Sequence, residues 1–340
     1  MITAPAPTLQ PEPSAPPGRW QQLWREAVRD PAELLGLLGL DELAGRLSPE
    51  AGRQFPLRVP RGFVGRMRHG DPHDPLLRQV LPLDDEDRQV PGFGLDAVGD
   101  LAAGGGTGVI HKYQGRVLLV ATGSCAVHCR YCFRRHYPYA EQTAAAANWR
   151  EALDYLAADT SVSEVLLSGG DPLSLSTAKL AEFTTALARL PHVRRLRLHT
   201  RLPVVLPERV DQELQAWLAG LPWPVVVVIH ANHGNEIDQD VSAALARLRD
   251  TGAHLLNQAV LLRGVNDSLP ALAGLSERLF AAGVLPYYLH QLDRVAGTAH
   301  FEVPDDRARE LHEALAASLP GYLVPRLVRE VAGAPAKTPL

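Results

Sequence analysis

Cysteine is scarce in this chain: three residues in 340, all between positions 125 and 132. So few thiols, odd in number and tightly grouped, exclude a secreted disulfide framework. An excess of one charge is missing too. The chain has 34 lysines and arginines against 38 aspartates and glutamates, for a formal net charge of −4. That removes a basic nucleic-acid coat or a polybasic membrane binder as the default. No run reaches the ~18 uninterrupted apolar residues of a membrane span. The first residues have neither a basic start nor a long apolar stretch, so they do not read as a secretion signal. The expected setting is the cytoplasm, with no nucleic-acid or membrane partner. What is present is a globular composition, 46% hydrophobic and 21% charged, with ample material for a core.

Residues 1–18 contain six prolines and little to bury, which predicts a loose tail. Residues 19–115 read as an accessory region. Trp20–Asp30 and the stretch from Pro31 predict two short amphipathic helices, Pro31 suiting a first helical turn. An acidic run at Asp84–Asp87 and glycines at 104, 105, 106 and 108 make the rest irregular. From residue 116 a rhythm sets in. Apolar runs at Val117–Ala121, Val165–Ser168, Leu196–His199, Val225–His230, Leu255–Leu262 and Val284–Leu289 predict strands. Helix-length patterns follow at 143–157, 177–189, 207–219, 238–251, 269–281 and 305–318.

Runs without alternation suit a parallel sheet covered on both faces. Six strand–helix units over 116–320 fit an incomplete (β/α) barrel or an open doubly wound sheet, and the pattern does not choose between them. Residues 321–340 form a separate C-terminal segment. In either architecture chemistry collects at the C-terminal ends of the strands. The polar signals stand there: Cys125, Ser168 to Asp171, Thr200-Arg201, His230, Gln258, and His290 to Asp293.

The cysteines occur as Cys125-Ala-Val-His-Cys129-Arg-Tyr-Cys132. Three thiolates at that spacing can wrap one corner of a 4Fe-4S cubane and leave the fourth iron open to an outside ligand. Zinc, with His128 or His136 as fourth ligand, needs a different wrap of the loop. Three spare thiols would behave as small hydrophobes. Because every cysteine of the chain falls in this motif, the iron–sulfur reading is preferred.

CxxxCxxC after an apolar strand, with an aromatic before the last cysteine, resembles the signature of radical S-adenosylmethionine enzymes. The longer string CAVHCRYCFRRHYPY resembles the lysine 2,3-aminomutase family among them. The likeness runs from about residue 60 to the C-terminus and is nearest to the short bacterial branch that makes β-lysine for modification of elongation factor P. It implies an α/β fold, a radical SAM partial (β/α)6 TIM-like barrel with an N-terminal helical and irregular accessory segment. It also implies a 4Fe-4S cluster on Cys125, Cys129 and Cys132, with S-adenosylmethionine chelating the open iron. Ser168-Gly169-Gly170-Asp171, whose glycines let backbone approach a ligand closely, resembles the turn that holds the amino group of this cofactor. His230 and Gln258 resemble further contacts to it, although a satisfied histidine at a strand end is the ordinary reading of His230.

A second cofactor follows from the last residues. Chain ends fray, so a lone lysine there is ordinarily solvated, but Lys337-Thr338-Pro339 resembles the family segment that carries pyridoxal 5'-phosphate as an imine. Lys112 and Arg116 offer two cations for its phosphate, Lys112 standing where the family resemblance leads one to expect arginine. Arg134 resembles the clamp on the substrate α-carboxylate, and Arg135 has no assigned role. Asp293 and Glu330 resemble the family positions that recognise the ε-ammonium of lysine; the second is aspartate in longer clostridial-type relatives, and glutamate-specific relatives lack the acidic pair. The implied activity is conversion of free L-lysine to (R)-β-lysine by a 1,2-amino shift, with Lys337, Arg134, Asp293 and Glu330 as the catalytic set. The implied partners are an external one-electron reductant such as flavodoxin or ferredoxin and an elongation factor P ligase that uses the product. Three alternatives stay open: β-lysine made for another pathway, a different amino acid substrate, and a non-enzymatic iron–sulfur electron-transfer protein.

Overall fold

The structure, a computed structural model, describes residues 18–147 and 149–340. The proline-rich tail, apart from Gly18, lies outside them. Nine strands form one sheet in sequential order: β1 (Val109–Tyr113), β2 (Arg116–Thr122), β3 (Glu164–Gly169), β4 (Arg195–Thr200), β5 (Val225–His230), β6 (His254–Val260), β7 (Leu285–His290), β8 (Arg326–Arg329) and β9 (Thr338–Pro339). From β2 to β8 every neighbouring pair is parallel, while β1 and β9 join the two ends antiparallel. A doubly wound sheet reverses its strand order part-way; this one never does. The sheet therefore curls as a partial barrel, and the choice the sequence pattern left open is settled.

All six expected strands are present. β8 overlaps the apolar run Leu323–Val328, which also reads as a strand, and β1 is an addition: Val109–Tyr113 pairs with β2 as a hairpin around Gly115, whose φ of 76° needs the freedom of glycine. Two helix starts move. Arg150–Ala158 begins seven residues later than the pattern indicated, and Gln212–Ala219 begins after a separate 3₁₀ turn at Pro207–Arg209. In the second case Asp211 accepts the Leu214 N–H at 2.8 Å, a cap that fixes where the helix starts. Ser176, Asp238 and Ser268 cap the helices at Thr177–Leu187, Gln239–Asp250 and Leu269–Ala281 in the same way. Among the described residues no helix is long and apolar enough to cross a membrane.

The strands have two faces. Val165, Leu167, Leu196, Leu198, Val225, Val227 and Ile229 join one buried cluster with helix residues such as Leu180, Leu214 and Leu245. Leu166, Ser168, Arg197, His199 and His230 from the same strands, with Gln258 of β6 and Tyr288 and His290 of β7, line an interior cavity of about 320 Å³. The accessory region shares the core, contributing Trp20, Leu34, Leu35, Phe63, Leu76 and Leu77 to the outer cluster.

Two features position the site. First, the open seam of the barrel is bridged by a side chain, the Tyr113 hydroxyl of β1 donating to Glu330 just beyond β8 at 2.6 Å. Second, the cysteine loop is bolted to the accessory region. Glu86 accepts from Arg130 Nε and Nη2, both at 2.6 Å, and from Arg135 Nη2 at 2.7 Å, all three side chains being buried. Removing the carboxylate leaves two buried guanidinium groups without their counter-ion, which typically costs ~3–5 kcal/mol. Glu86→Ala is expected to lower the unfolding free energy by about that amount in urea titration, and Glu86→Gln by less.

Candidate active site

The cavity is built from the top of β2 onward. After Thr122 the chain leaves the sheet, and the loop from Cys125 to Cys132 runs along the cavity. The accessory region shapes this loop: His128 N–H donates to the Arg58 carbonyl at 3.0 Å and Arg130 N–H to the Gln79 carbonyl at 2.9 Å. Arg58 Nη1 also donates to the Cys125 carbonyl at 3.2 Å. All three cysteines line the cavity. Burial pushes the Cys125 thiol well up and the Cys132 thiol up to about 11, neighbouring sulfurs adding to both shifts. Arg201 is buried behind Cys129 and donates to its Sγ at 2.7 Å.

Among the described residues no three His, Cys, Asp or Glu side chains converge on one ion. A cubane asks for no such convergence, since each sulfur takes a different iron. Three thiols on one wall beside a buried guanidinium fit that group.

At the end of β3 the turn packs tightly against the start of the cysteine loop. Gly169 has φ 114°, and a Cβ on Gly170 would lie 2.5 Å from the Ser124 carbonyl oxygen. The glycines are needed for close packing on the base of the cysteine loop. Their N–H groups do not all face the cavity: Gly170 N–H donates to Thr122 at 2.6 Å and Asp171 N–H to Ser124 at 2.8 Å. The Asp171 carboxylate is saturated, accepting from Thr200 Oγ1 and from the N–H groups of Leu173, Arg201 and Leu202. It buckles β3 to β4, and its oxygens are already taken by the protein. His230 is also partnered, its Nε2 lying 2.8 Å from the Tyr131 hydroxyl with the two rings stacked. Burial, helped by Arg201, lowers its pKa to about 3 and keeps it neutral. Gln258 faces the cavity beside it, paired in register with His230.

On the other wall Arg134 is buried and lies over the Phe133 ring at 4.7 Å. Its Nε donates to Asp100 at 2.6 Å and its Nη1 to Ser168 Oγ at 3.3 Å. Lys112 departs from expectation. Its ammonium is committed to Asp100 and to the Val98 carbonyl, each at 2.6 Å, with Glu330 at 3.7 Å. Arg116 stacks on Tyr113 at 4.5 Å and has no carboxylate partner among the described residues, which leaves it the freer cation for an anion.

Lys337 is held in place by the sheet. β9 pairs Thr338 with Arg329 and Pro339 with Val328, fixing a terminal segment that would otherwise fray. The Lys337 ammonium then reaches Glu330 at 2.7 Å and lies 5.6 Å from the centre of the Tyr288 ring. Lys337 and hydrogen bonds from Lys337 and Tyr113 outweigh burial and hold the Glu330 carboxyl below its ordinary value. Asp293 behaves oppositely. Burial raises its carboxyl to about 7 against the pull of Lys337, with Glu330 adding to the rise. The structure thus gathers Arg134, Asp293, Glu330, Lys337, Arg116, Lys112 and the three cysteines around one cavity.

Sequence reasoning missed Asp100, Tyr113, Arg197, His199, Tyr287 and Tyr288 on or beside its walls. Arg197 and His199 stand two apart on β4, a polar alternation that an apolar-run reading passes over. Asp100 sits in an irregular stretch with no periodic signal.

Residues 119–273 match the Radical SAM superfamily. The chain is 49% identical over 325 residues to an L-lysine 2,3-aminomutase of Escherichia coli K12, covering 94% of both. It is 45% identical to that of Haemophilus influenzae, again covering 94% of both. The chain belongs to the radical SAM lysine 2,3-aminomutase family. Within that family, it is 36% identical to the L-lysine 2,3-aminomutase of Clostridium subterminale, over 95% of this chain and 77% of the longer relative.

The Asp293 pKa has a measurable consequence. In the unfolded chain this group ionises near 4, so its contribution to stability is complete below pH ~4 and is lost as pH rises to about 7. The unfolding free energy of the protein minus that of Asp293→Asn is expected to fall between pH 4 and 7 and to level off above 7, as measured by urea titration.

Proposed function

We infer that this chain is an L-lysine 2,3-aminomutase, moving the α-amino group of free L-lysine to the β-carbon and one hydrogen from the β- to the α-carbon. The observation that carries this reading is the set of charged groups around one cavity. Arg134, Asp293, Glu330, Lys337 and the three cysteines all line it, with the Lys337 ammonium on Glu330 and Arg134 joined through Asp100 to Lys112. An amino acid with cations at both ends and a carboxylate at one fits that pattern.

The cluster with S-adenosylmethionine would supply hydrogen-atom abstraction, and pyridoxal 5'-phosphate a π-system able to carry nitrogen between adjacent carbons. Cys125, Cys129 and Cys132 would hold the cluster, and Lys337 and Arg116 the pyridoxal phosphate. Arg134 binds the α-carboxylate, which a lysine inside a polypeptide does not have, and so selects the free amino acid. Asp293 and Glu330 receive the ε-ammonium. Lys337 occupies Glu330 in this structure; as the residue that would hold pyridoxal 5'-phosphate, it would leave that carboxylate to the substrate. Burial of these groups excludes water and fixes the two ends of the substrate, leaving the carbons between them to react.

The reading extends to (R)-β-lysine as product, to an elongation factor P ligase as its user and to a flavodoxin or ferredoxin as electron donor in the cytoplasm. It takes residues 116–320 as the catalytic barrel, 19–115 as the accessory region and 321–340 as the segment that brings Lys337 home. The resemblance of the chain from about residue 60 onward to the short bacterial branch supports the elongation factor P destination.

The test is chiral product analysis on anaerobically reconstituted, reduced protein with L-lysine, S-adenosylmethionine and pyridoxal 5'-phosphate. (R)-β-Lysine is expected, falling to background in Cys129→Ala and Lys337→Ala. Cofactor binding without β-lysine of either hand would overturn the substrate assignment, and absence of S-adenosylmethionine cleavage would favour an electron-transfer role. A second expectation concerns pH. The ε-ammonium requires ionised Asp293, whose carboxyl sits at about 7, so lysine affinity should weaken by up to about tenfold per pH unit below 7. Asp293→Asn should flatten that dependence in equilibrium titration.

A further inference from the structure

Asp100 lies in the accessory region, outside the barrel strands, yet its side chain is only 2% exposed. Its backbone is fixed by a turn in which the N–H groups of Asp100 and Leu101 donate to the two carboxylate oxygens of Asp96, at 2.9 and 3.1 Å. The turn aims the Asp100 carboxylate at the cavity wall. One oxygen accepts from Lys112 Nζ and the other from Arg134 Nε, both at 2.6 Å. Two cations that would repel each other are thus held at fixed positions by one buried anion.

The consequence for Arg134 is directional. A guanidinium has three edges; here the Nε side is taken by Asp100, Nη1 makes a 3.3 Å contact with Ser168, and Nη2 has no protein acceptor among the described residues. The flat group is further held over Phe133. Its uncommitted donors therefore face the cavity in one orientation, ready for a planar carboxylate.

We propose that Asp100 is the positioning residue for the α-carboxylate clamp, setting through Arg134 how strongly the site prefers an amino acid over its amide. The proposal rests on the reading of Arg134 as the carboxylate ligand given above. It also accounts for Lys112: with its ammonium tied to Asp100, it completes the charge balance of the clamp, and Arg116 is left to meet the phosphate.

The experiment uses the cluster-reconstituted, pyridoxal phosphate-loaded protein without reductant, following the absorbance of the bound pyridoxal during titration with L-lysine or L-lysinamide. The starting protein is expected to bind lysine at least about tenfold more tightly than lysinamide. Asp100→Asn should weaken lysine about tenfold and lysinamide by less than twofold, with iron and pyridoxal phosphate content unchanged. In an Arg134→Gln background, Asp100→Asn should change lysine affinity by less than twofold, because the residue it acts through is gone. Asp100→Glu, which keeps the charge but shifts it by one methylene, serves if Asp100→Asn does not fold. It should narrow the lysine preference without abolishing it. Equal weakening of lysine and lysinamide, or an undiminished effect in the Arg134→Gln background, would overturn the proposal. If the unmodified protein does not distinguish lysine from lysinamide, the Arg134 reading itself falls, and the proposal with it.

Discussion

A parallel sheet that stops short of closing leaves a seam, and in this protein a single carboxylate spans it. Glu330 accepts from Tyr113 on the first strand and from Lys337 on the segment after the eighth. Around that contact the two ends of the sheet, 217 residues apart in sequence, meet over the cavity. A fully closed barrel would fill its interior with side chains. The open seam instead leaves room for ligands and places polar groups at the gap. The same contact secures the last residues of the chain, since Lys337 is followed only by a two-residue strand with little to bury.

The electrostatics of the site follow from burial under unequal pairing. Glu330, with Lys337 and Tyr113 as donors, stays an anion, while Asp293, buried with weaker compensation, is raised to about 7. Arg134 keeps its charge because Asp100 offsets the loss of solvent. His230 and His290, surrounded by cations and apolar walls, are neutral. Desolvation acts on each of these groups, and the partner supplied by the fold decides which remain charged. The outcome is one cavity lined by the Asp293 and Glu330 carboxylates, the Arg134 guanidinium and three thiols, which matches an amino acid with a basic side chain better than an acidic or apolar one.

The accessory region is part of this arrangement. It delivers Glu86 beneath the cysteine loop, Gln79 and Arg58 to its backbone, and Asp100 to the clamp. None of these has a periodic neighbour pattern, so nothing local in the chain marks them as site residues. They matter because of what they meet: each satisfies a buried cation or backbone group that would be costly if left alone.

Much was determined by the chain's linear pattern. Apolar runs set the strands from β2 to β8, because a strand covered by helices on one side needs Val and Leu whatever its partners are. The three-cysteine spacing pointed to a cluster-binding loop, because thiols so near in sequence can close on one group, and all three line the cavity. Asp293, Glu330 and Lys337 could be named by likeness to relatives. The tertiary structure alone decided between barrel and doubly wound sheet, because strand order is a matter of neighbours. It also showed the Asp171 carboxylate accepting four hydrogen bonds and Lys112 bound to Asp100, since hydrogen-bond capacity is finite and nearer donors and acceptors use it first.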